Sequence, residues 1–142
     1  MGVVVSQLIV DSAEPERLAR WWAEVLGWHV TLDDDGDIWV APDPEELMGG
    51  VLFTHVPEPK TVKNRLHLDL RPEDGSSQEA ELERLLALGA TRVDVGQRDV
   101  TWHVLADPEG NEFCLLLSTP SRLAEVTAER RAASTDGATS AD

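Results

Sequence analysis

Cysteine, basic side chains and long apolar runs are all scarce in this sequence, and each shortage excludes a class of protein. One cysteine among 142 residues cannot form an internal disulfide, which agrees with a reducing compartment. Lysine and arginine number 12 against 27 acidic residues, and the formal net charge of −15 repels nucleic-acid backbones and anionic membranes. No stretch approaches the roughly 20 apolar residues of a membrane span, and the first residues lack the basic flank and cleavage site of a signal peptide. We expect a soluble, cytoplasmic, acidic protein whose partners are small molecules or other proteins.

The first half of the chain alternates strand and helix signals. The run VVVSQLIV at 3–10 has the length and β-branched content of a strand. The next pattern predicts a helix with Asp11 or Ser12 as its N-cap, Pro15 in its first turn and Gly27 as its terminator. Three short runs separated by turn formers predict strands at 28–32, 37–41 and 49–56. The predicted order is βαβββ.

The second half repeats that order. RLHLDL at 65–70 alternates as a strand does, a helical pattern at 76–88 ends at Gly89, and strand-like runs follow at 91–95, 100–106 and 111–118. The two halves align at a nearly constant offset of about 60 residues, which indicates an internal duplication. With 42% hydrophobic residues the chain can bury one sizeable core but is too short for two ordinary domains. The sequence therefore predicts one domain built from two similar halves.

The predicted boundaries follow from this duplication. We place module one at 1–57, a linker at 58–64, module two at 65–118 and a C-terminal tail at 119–142. In the tail we expect a helix from about Ser121 to Ala133 and a mobile end. The densest basic stretch, with Lys60, Lys63 and Arg65, is either a solvated linker or an anion contact at the mouth of a cavity.

Alternation along the strands brings polar side chains to one face of module two. In RLHLDL the leucines point one way, while His67 and Asp69 point the other. The last strand places Glu112 and Cys114 on that same polar face. The duplication matches His67 with Gln7 and Cys114 with Leu52. Four positions therefore converge on the open face of the sheet: Gln7, Leu52, His67 and Cys114.

Each of these candidates also has a purely structural interpretation. His67 is either a satisfied structural histidine or a functional group, and Glu112 is either a hydrogen-bond acceptor near a turn or a catalyst. A free cysteine such as Cys114 commonly behaves as a small buried apolar residue. Trp39 and Trp102, in matching hairpins, either line the cavity or fill the core.

Three motifs resemble the vicinal oxygen chelate superfamily, and in particular its glyoxalase-like domain branch, which is related to glyoxalase I and the bleomycin-resistance proteins. They are ARWWAEVLGW at the first helix, VPEPKTVKNRLHLDL across the linker, and DPEGNEFCLL in the last hairpin. The resemblance extends from the N-terminus to about Ser118. It implies an α+β fold with paired βαβββ modules, whose eight strands form a curved mixed sheet around a cavity, and it implies a homodimer.

The resemblance also implies a divalent metal held by one residue from each of the first, fourth, fifth and eighth strands. In glyoxalase I these are His or Gln, Glu, His and Glu. The matching positions here are Gln7, Leu52, His67 and Cys114, so only Gln7 and His67 match as metal ligands. A leucine and a thiol in place of two carboxylates remove charge that balances a divalent cation.

Functions of three classes remain open. We favour a small-molecule binding protein that needs no metal cofactor, with a cavity lined by the candidate residues Gln7, Leu52, Trp39, His67, Asp69, Trp102, Glu112 and Cys114. The alternative is a lyase or isomerase of the glyoxalase type, using either a divalent metal with unusual ligands or His67 with Asp69 or Glu112 as acid and base. The third is a regulatory module with a vestigial pocket.

Overall fold

The computed structural model describes residues 1–139, and their elements run βαβββ twice before a final helix. In chain order the elements are β1 Leu8–Ser12, α1 Pro15–Leu26, β2 His29–Leu32, β3 Ile38–Ala41, β4 Val51–His55, β5 Asp69–Leu70, α2 Gln78–Leu88, β6 Thr91–Arg92, β7 His103–Ala106, β8 Glu112–Leu115 and α3 Pro120–Thr139. The predicted α+β class and the paired βαβββ modules are confirmed.

The eight strands divide between two four-stranded sheets, with orders β1-β4-β3-β2 and β5-β8-β7-β6, rather than forming one continuous hydrogen-bonded sheet. In each sheet the first strand runs parallel to the last, and the other pairs are antiparallel. Ile9 lies opposite Leu52 in the first sheet, and Asp69 lies opposite Cys114 in the second. This register makes Leu52 and Cys114 structurally equivalent, as the duplication predicts.

Both main helices end where the sequence predicts but begin differently. Gly27 and Gly89 follow α1 and α2 with φ of 66° and 108°, a left-handed conformation that glycine adopts without steric cost. Ser77 caps α2 by accepting a hydrogen bond from the Ala80 amide at 3.2 Å. The predicted cap of α1 is wrong, because the N-cap position is Glu14. Ser12 is still paired in β1, and its hydroxyl donates a hydrogen bond to the Glu109 carboxylate.

The first strand of each module is shorter than predicted. β1 begins at Leu8, opposite Val51 at the start of its partner strand β4, and among residues 1–7 the only backbone hydrogen bond that joins the same two segments runs from the Gly49 amide to the Ser6 carbonyl. Val3 to Val5 therefore precede the sheet and are exposed. Similarly, β5 is restricted to Asp69–Leu70, although the Cys114 amide still donates to the Leu68 carbonyl.

The tail helix α3 is longer than the predicted segment and continues through Thr139. It begins where Asp74 accepts hydrogen bonds from the Ser121 amide and hydroxyl at 3.0 and 2.7 Å. The alanines in the last turns of the predicted helix favour its continuation, because alanine has the highest helix propensity. The predicted mobile end falls partly on residues 140–142, which lie outside the described residues.

One apolar core spans both modules, with α1 between them. Phe113 of β8 packs edge-on against Trp21 and Trp22 of α1, with ring centroids 6.1 and 5.0 Å apart. The Trp21 indole N–H donates to the Leu88 carbonyl at 2.9 Å. None of the three helices within residues 1–139 has the length and hydrophobicity needed to cross a membrane.

Candidate functional site

Three potential ligands of different chemistry meet on the open face of module two. The donor atoms of His67, Asp69 and Cys114 all lie within 4.8 Å of one another. Asp69 and Cys114 are direct neighbours on the parallel strands β5 and β8, and His67 lies two residues before Asp69, on the same face. The His67 Nε2 atom lies 3.2 Å from Asp69 Oδ1. Strand alternation therefore predicts this cluster correctly.

The surroundings of the cluster differ between its members. Cys114 is 7% exposed, whereas the side chains of His67 and Asp69 are 42% and 51% exposed. Burial raises the pKa of the Cys114 thiol, and the carboxylate of Asp69, to which the thiol donates a hydrogen bond, raises that pKa further. The ammonium of Lys63 opposes this shift. The thiol form of Cys114 is therefore favoured at neutral pH.

Glu112, predicted as a second catalytic group, fastens the linker to module two. Its carboxylate accepts from Lys60 Nζ at 2.9 Å and from the Asn64 amide at 3.0 Å, and its carbonyl accepts from Asn64 Nδ2. Burial of Glu112 acts to raise its pKa, but the bonds from Asn64 and Lys60 outweigh it, so the pKa lies below the ordinary glutamate value. A catalytic role for Glu112 stays a prediction. Lys60 of the basic stretch thus contacts a carboxylate of the chain itself.

Replacement of Glu112 by glutamine should lower the free energy of unfolding by about 1 to 2 kcal/mol at pH 7, because a half-buried ammonium loses its charged partner. A carboxyl with a lowered folded pKa stabilises the fold above its unfolded pKa, and this stabilisation disappears as the pH falls through the folded value. The difference between wild type and Glu112→Gln should therefore shrink below about pH 4. Urea unfolding at several pH values measures it.

The matched control is Glu58→Gln, which changes an exposed carboxylate on the same linker. It should alter stability by less than about 0.5 kcal/mol at every pH. Equal effects of the two substitutions would contradict the role given to Glu112.

The positions that the resemblance assigns to the metal do not reproduce the glyoxalase I ligand set. Leu52 has no donor atom, and Gln7, just before β1, belongs to the other module and accepts from the Ser6 hydroxyl at 2.7 Å. His67 and Cys114 lie together on module two, as described. Four positions that offer no carboxylate do not fit a divalent metal in the way that the glyoxalase I ligands do.

The two tryptophans predicted at the cavity occupy different environments. Trp39 on β3 lies opposite Leu52 on β4, and its indole N–H donates to the Glu46 carbonyl at 3.0 Å. Trp102 precedes β7 and is 40% exposed. Within residues 1–139, neither Trp39 nor Trp102 belongs to the apolar core, which contains Trp21 and Trp22.

A cleft of about 470 Å³ is lined by residues of β1, α1, β4, the linker and the start of β8. Its floor is apolar and consists of residues from α1 and both sheets: Val10, Trp22, Leu26, Phe53 and Phe113. Its rim is polar and includes Asp11, Glu58, Lys60, His67 and Glu112. Of the eight predicted site residues, His67 and Glu112 border this cleft, while Gln7, Leu52, Trp39, Asp69, Trp102 and Cys114 are not among its described lining residues.

The sequence did not indicate this cleft because its floor comes from the side of the strands that faces the helices. The apolar side chains of Val10, Trp22 and Phe113 predict only that these positions are buried. They do not tell whether the residues fill a solid core or line a cleft. The one signal in the sequence was the Pro-rich linker, which runs along the rim through Glu58 and Lys60.

Sequence comparison identifies the family. Residues 7–116 match the family model described as a glyoxalase-like domain. The chain belongs to the glyoxalase-like domain family. The predicted membership in the vicinal oxygen chelate superfamily is thereby confirmed, and the match covers both modules. No curated protein matches the chain significantly.

Solved structures with glyoxalase-like folds agree with this assignment. The trypanothione-dependent glyoxalase I of Leishmania major has 12% identity and a TM-score of 0.61, over 94% of this chain and 99% of that one. The fosfomycin resistance protein FosX from Mesorhizobium loti has 18% identity and a TM-score of 0.61, over 87% and 99%. A glyoxalase/bleomycin resistance protein from Albidiferax ferrireducens has 22% identity and a TM-score of 0.55, over 78% and 95%. At these identities the likeness concerns the fold.

Proposed function

We propose that this glyoxalase-like protein binds a small, largely apolar molecule in the cleft between its sheets, without the four-ligand metal site of glyoxalase I. The observation that supports this is the cleft itself. Its volume of about 470 Å³ lies in the range of small-molecule sites, about 300 to 1,000 Å³. An apolar floor with a few polar groups at the rim is the usual composition of such sites.

The charges at the rim favour a neutral or cationic ligand. Asp11 and Glu58 bring exposed carboxylates to the rim, whereas Lys60 is already bound to Glu112 at 2.9 Å. The whole chain carries a net charge of −15, which repels anions at long range. The proposed ligand therefore has an apolar body and a neutral or positively charged polar end.

Dye binding tests this proposal. Nile red, a neutral apolar dye, should bind one equivalent in the cleft and quench the fluorescence of Trp22, whereas the anionic anilinonaphthalene sulfonate should bind more weakly. Val10→Phe adds a ring to the floor and should raise the Kd of Nile red at least about tenfold, equivalent to about 1.4 kcal/mol. The measurement is a fluorescence titration of each folded variant.

Two further variants make the result interpretable. Val62→Phe, on the exposed part of the linker, is the matched control and should leave the Kd unchanged. Leu66→Trp narrows the rim at an 83% exposed position, so it weakens binding without disturbing the core. Unchanged affinity in both cleft variants would refute the proposed site and leave the interpretation as a regulatory module with a vestigial pocket.

The second candidate is an enzyme, and the His67–Asp69 pair favours it. A carboxylate 3.2 Å from an imidazole nitrogen orients that ring as a general base, and His67 borders the cleft where a substrate would lie. A lyase or isomerase acting next to a carbonyl is the corresponding reaction class. Turnover of epimerisable thioesters by the wild type would distinguish catalysis from binding alone.

We also propose that the protein acts as a cytoplasmic homodimer.

A further inference from the structure

The second module carries three metal-ligand types at one point of its open face. His67, Asp69 and Cys114 contribute nitrogen, oxygen and sulfur atoms that lie within 4.8 Å of one another. Around a tetrahedral zinc ion, with bonds of about 2.0 to 2.3 Å, neighbouring donors are about 3.3 to 3.8 Å apart. Changes in side-chain torsion of His67 and Asp69, both about half exposed, can close the remaining distance.

We propose that His67, Asp69 and Cys114 form a three-ligand site for a zinc-class divalent ion, contained entirely in module two. This site differs from the four-strand set of glyoxalase I in its composition. It omits Gln7 and Leu52, and it recruits Asp69, which occupies none of those four positions. The site does not depend on the cleft ligand proposed above.

The donor set selects the class of ion. A thiolate together with an imidazole favours zinc, cobalt or nickel over magnesium and calcium, which take oxygen ligands. The Cys114 thiol releases its proton to solvent when the ion binds, and the resulting thiolate and the Asp69 carboxylate supply the two negative charges that balance a divalent cation. Three protein ligands leave a fourth position of the tetrahedron for water or a small ligand.

The surroundings allow an ion to enter and be held. Cys114 lies at the buried end of the cluster, with 7% of its surface exposed, while the His67 and Asp69 side chains are open to solvent. β5 and β8 fix the two anionic ligands opposite each other through their parallel pairing. Lys63 is the nearby cation that opposes binding, but it lies on the linker, and its ammonium contacts only the Asn64 carbonyl at 3.4 Å among its described hydrogen bonds.

Cobalt titration tests the site, because a thiolate bound to tetrahedral Co²⁺ gives a charge-transfer band in the near ultraviolet. The full-length reduced protein should give this band with a 1:1 endpoint, and Zn²⁺ should displace it. Physiological salt and excess Mg²⁺ suppress adventitious binding to exposed carboxylates. Asp69→Asn and His67→Gln should each raise the Kd at least about 100-fold, because even groups outside the ligand shell contribute about 10- to 100-fold. Cys114→Ser should remove the band.

Matched controls separate the site from the general acidity of the chain. Asp94→Asn and His55→Gln change exposed residues elsewhere and should leave the titration unchanged. The proposal is overturned if no stoichiometric band forms, if several weak equivalents bind, or if Asp69→Asn and His67→Gln bind cobalt as the wild type does.

Discussion

Replacement of Phe113 by alanine is expected to lower the free energy of unfolding by about 3 to 5 kcal/mol, among the largest effects in this chain. Phe113 is 1% exposed and lies where β8 of module two meets α1 of module one. Its ring centroid is 5.0 Å from that of Trp22 and 6.1 Å from that of Trp21. Alanine would leave a cavity between two rigid indoles, and neither ring can move without disturbing its own hydrogen bond.

Urea unfolding followed by tryptophan fluorescence and circular dichroism measures this effect. In thermal unfolding, the Tm should fall by about 10 to 17 °C for a chain of 142 residues. Both signals should change in one transition, because Phe113 joins the two modules through one core. Trp102→Ala is the control: it removes a larger but partly exposed ring, and should cost less than about 1 kcal/mol. A small loss for Phe113→Ala would contradict a core shared between the modules.

The repeat and the alternation of the sequence predict much of the fold. Glycine at the ends of both helices is required by a local backbone conformation, so Gly27 and Gly89 mark those ends without knowledge of the rest of the molecule. Alternation assigns Asp69 and Cys114 to one face, because side chains of a strand point to opposite sides in turn. These features depend only on residues near one another in sequence.

The remaining features depend on contacts between distant segments. Lys60 reaches Glu112 across 52 positions, and nothing in either local pattern identifies the other as its partner. The cleft is lined by residues of both modules and of the linker, and alternation within each strand does not determine how these segments come together. The start of β1 likewise depends on where its partner β4 begins, which lies far away in the sequence. From the sequence alone, the exposed valines before Leu8 are therefore predicted to belong to the strand.

The DPEGN turn provides the other prediction with a large effect, because its first residue links it to α1. Asp107 is 3% exposed, and its carboxylate accepts hydrogen bonds from the Trp22 indole at 2.9 Å, the Glu109 amide at 2.9 Å and the Asn111 amide at 3.0 Å. Asp107→Ala leaves these donors without their acceptor. The buried indole N–H alone costs about 1 to 3 kcal/mol when unpaired, so a total loss of about 3 kcal/mol or more is expected.

A double-mutant cycle isolates the contact between the turn and the helix. Asp107→Asn keeps the shape of the side chain but replaces one carboxylate oxygen with an NH2 group, which donates hydrogen bonds. The replaced atom is either the oxygen that accepts from Trp22 or the oxygen that accepts from the amides of the turn. Trp22→Phe removes the indole N–H, so Asp107→Asn should cost about 1 kcal/mol less in that background than in wild type. Asp94→Asn, at a 75% exposed carboxylate, is the control in both backgrounds and should be neutral. An equal cost of Asp107→Asn in the two backgrounds would mean that the carboxylate stabilises the turn alone, and that its contact with Trp22 does not help to hold α1 against module two.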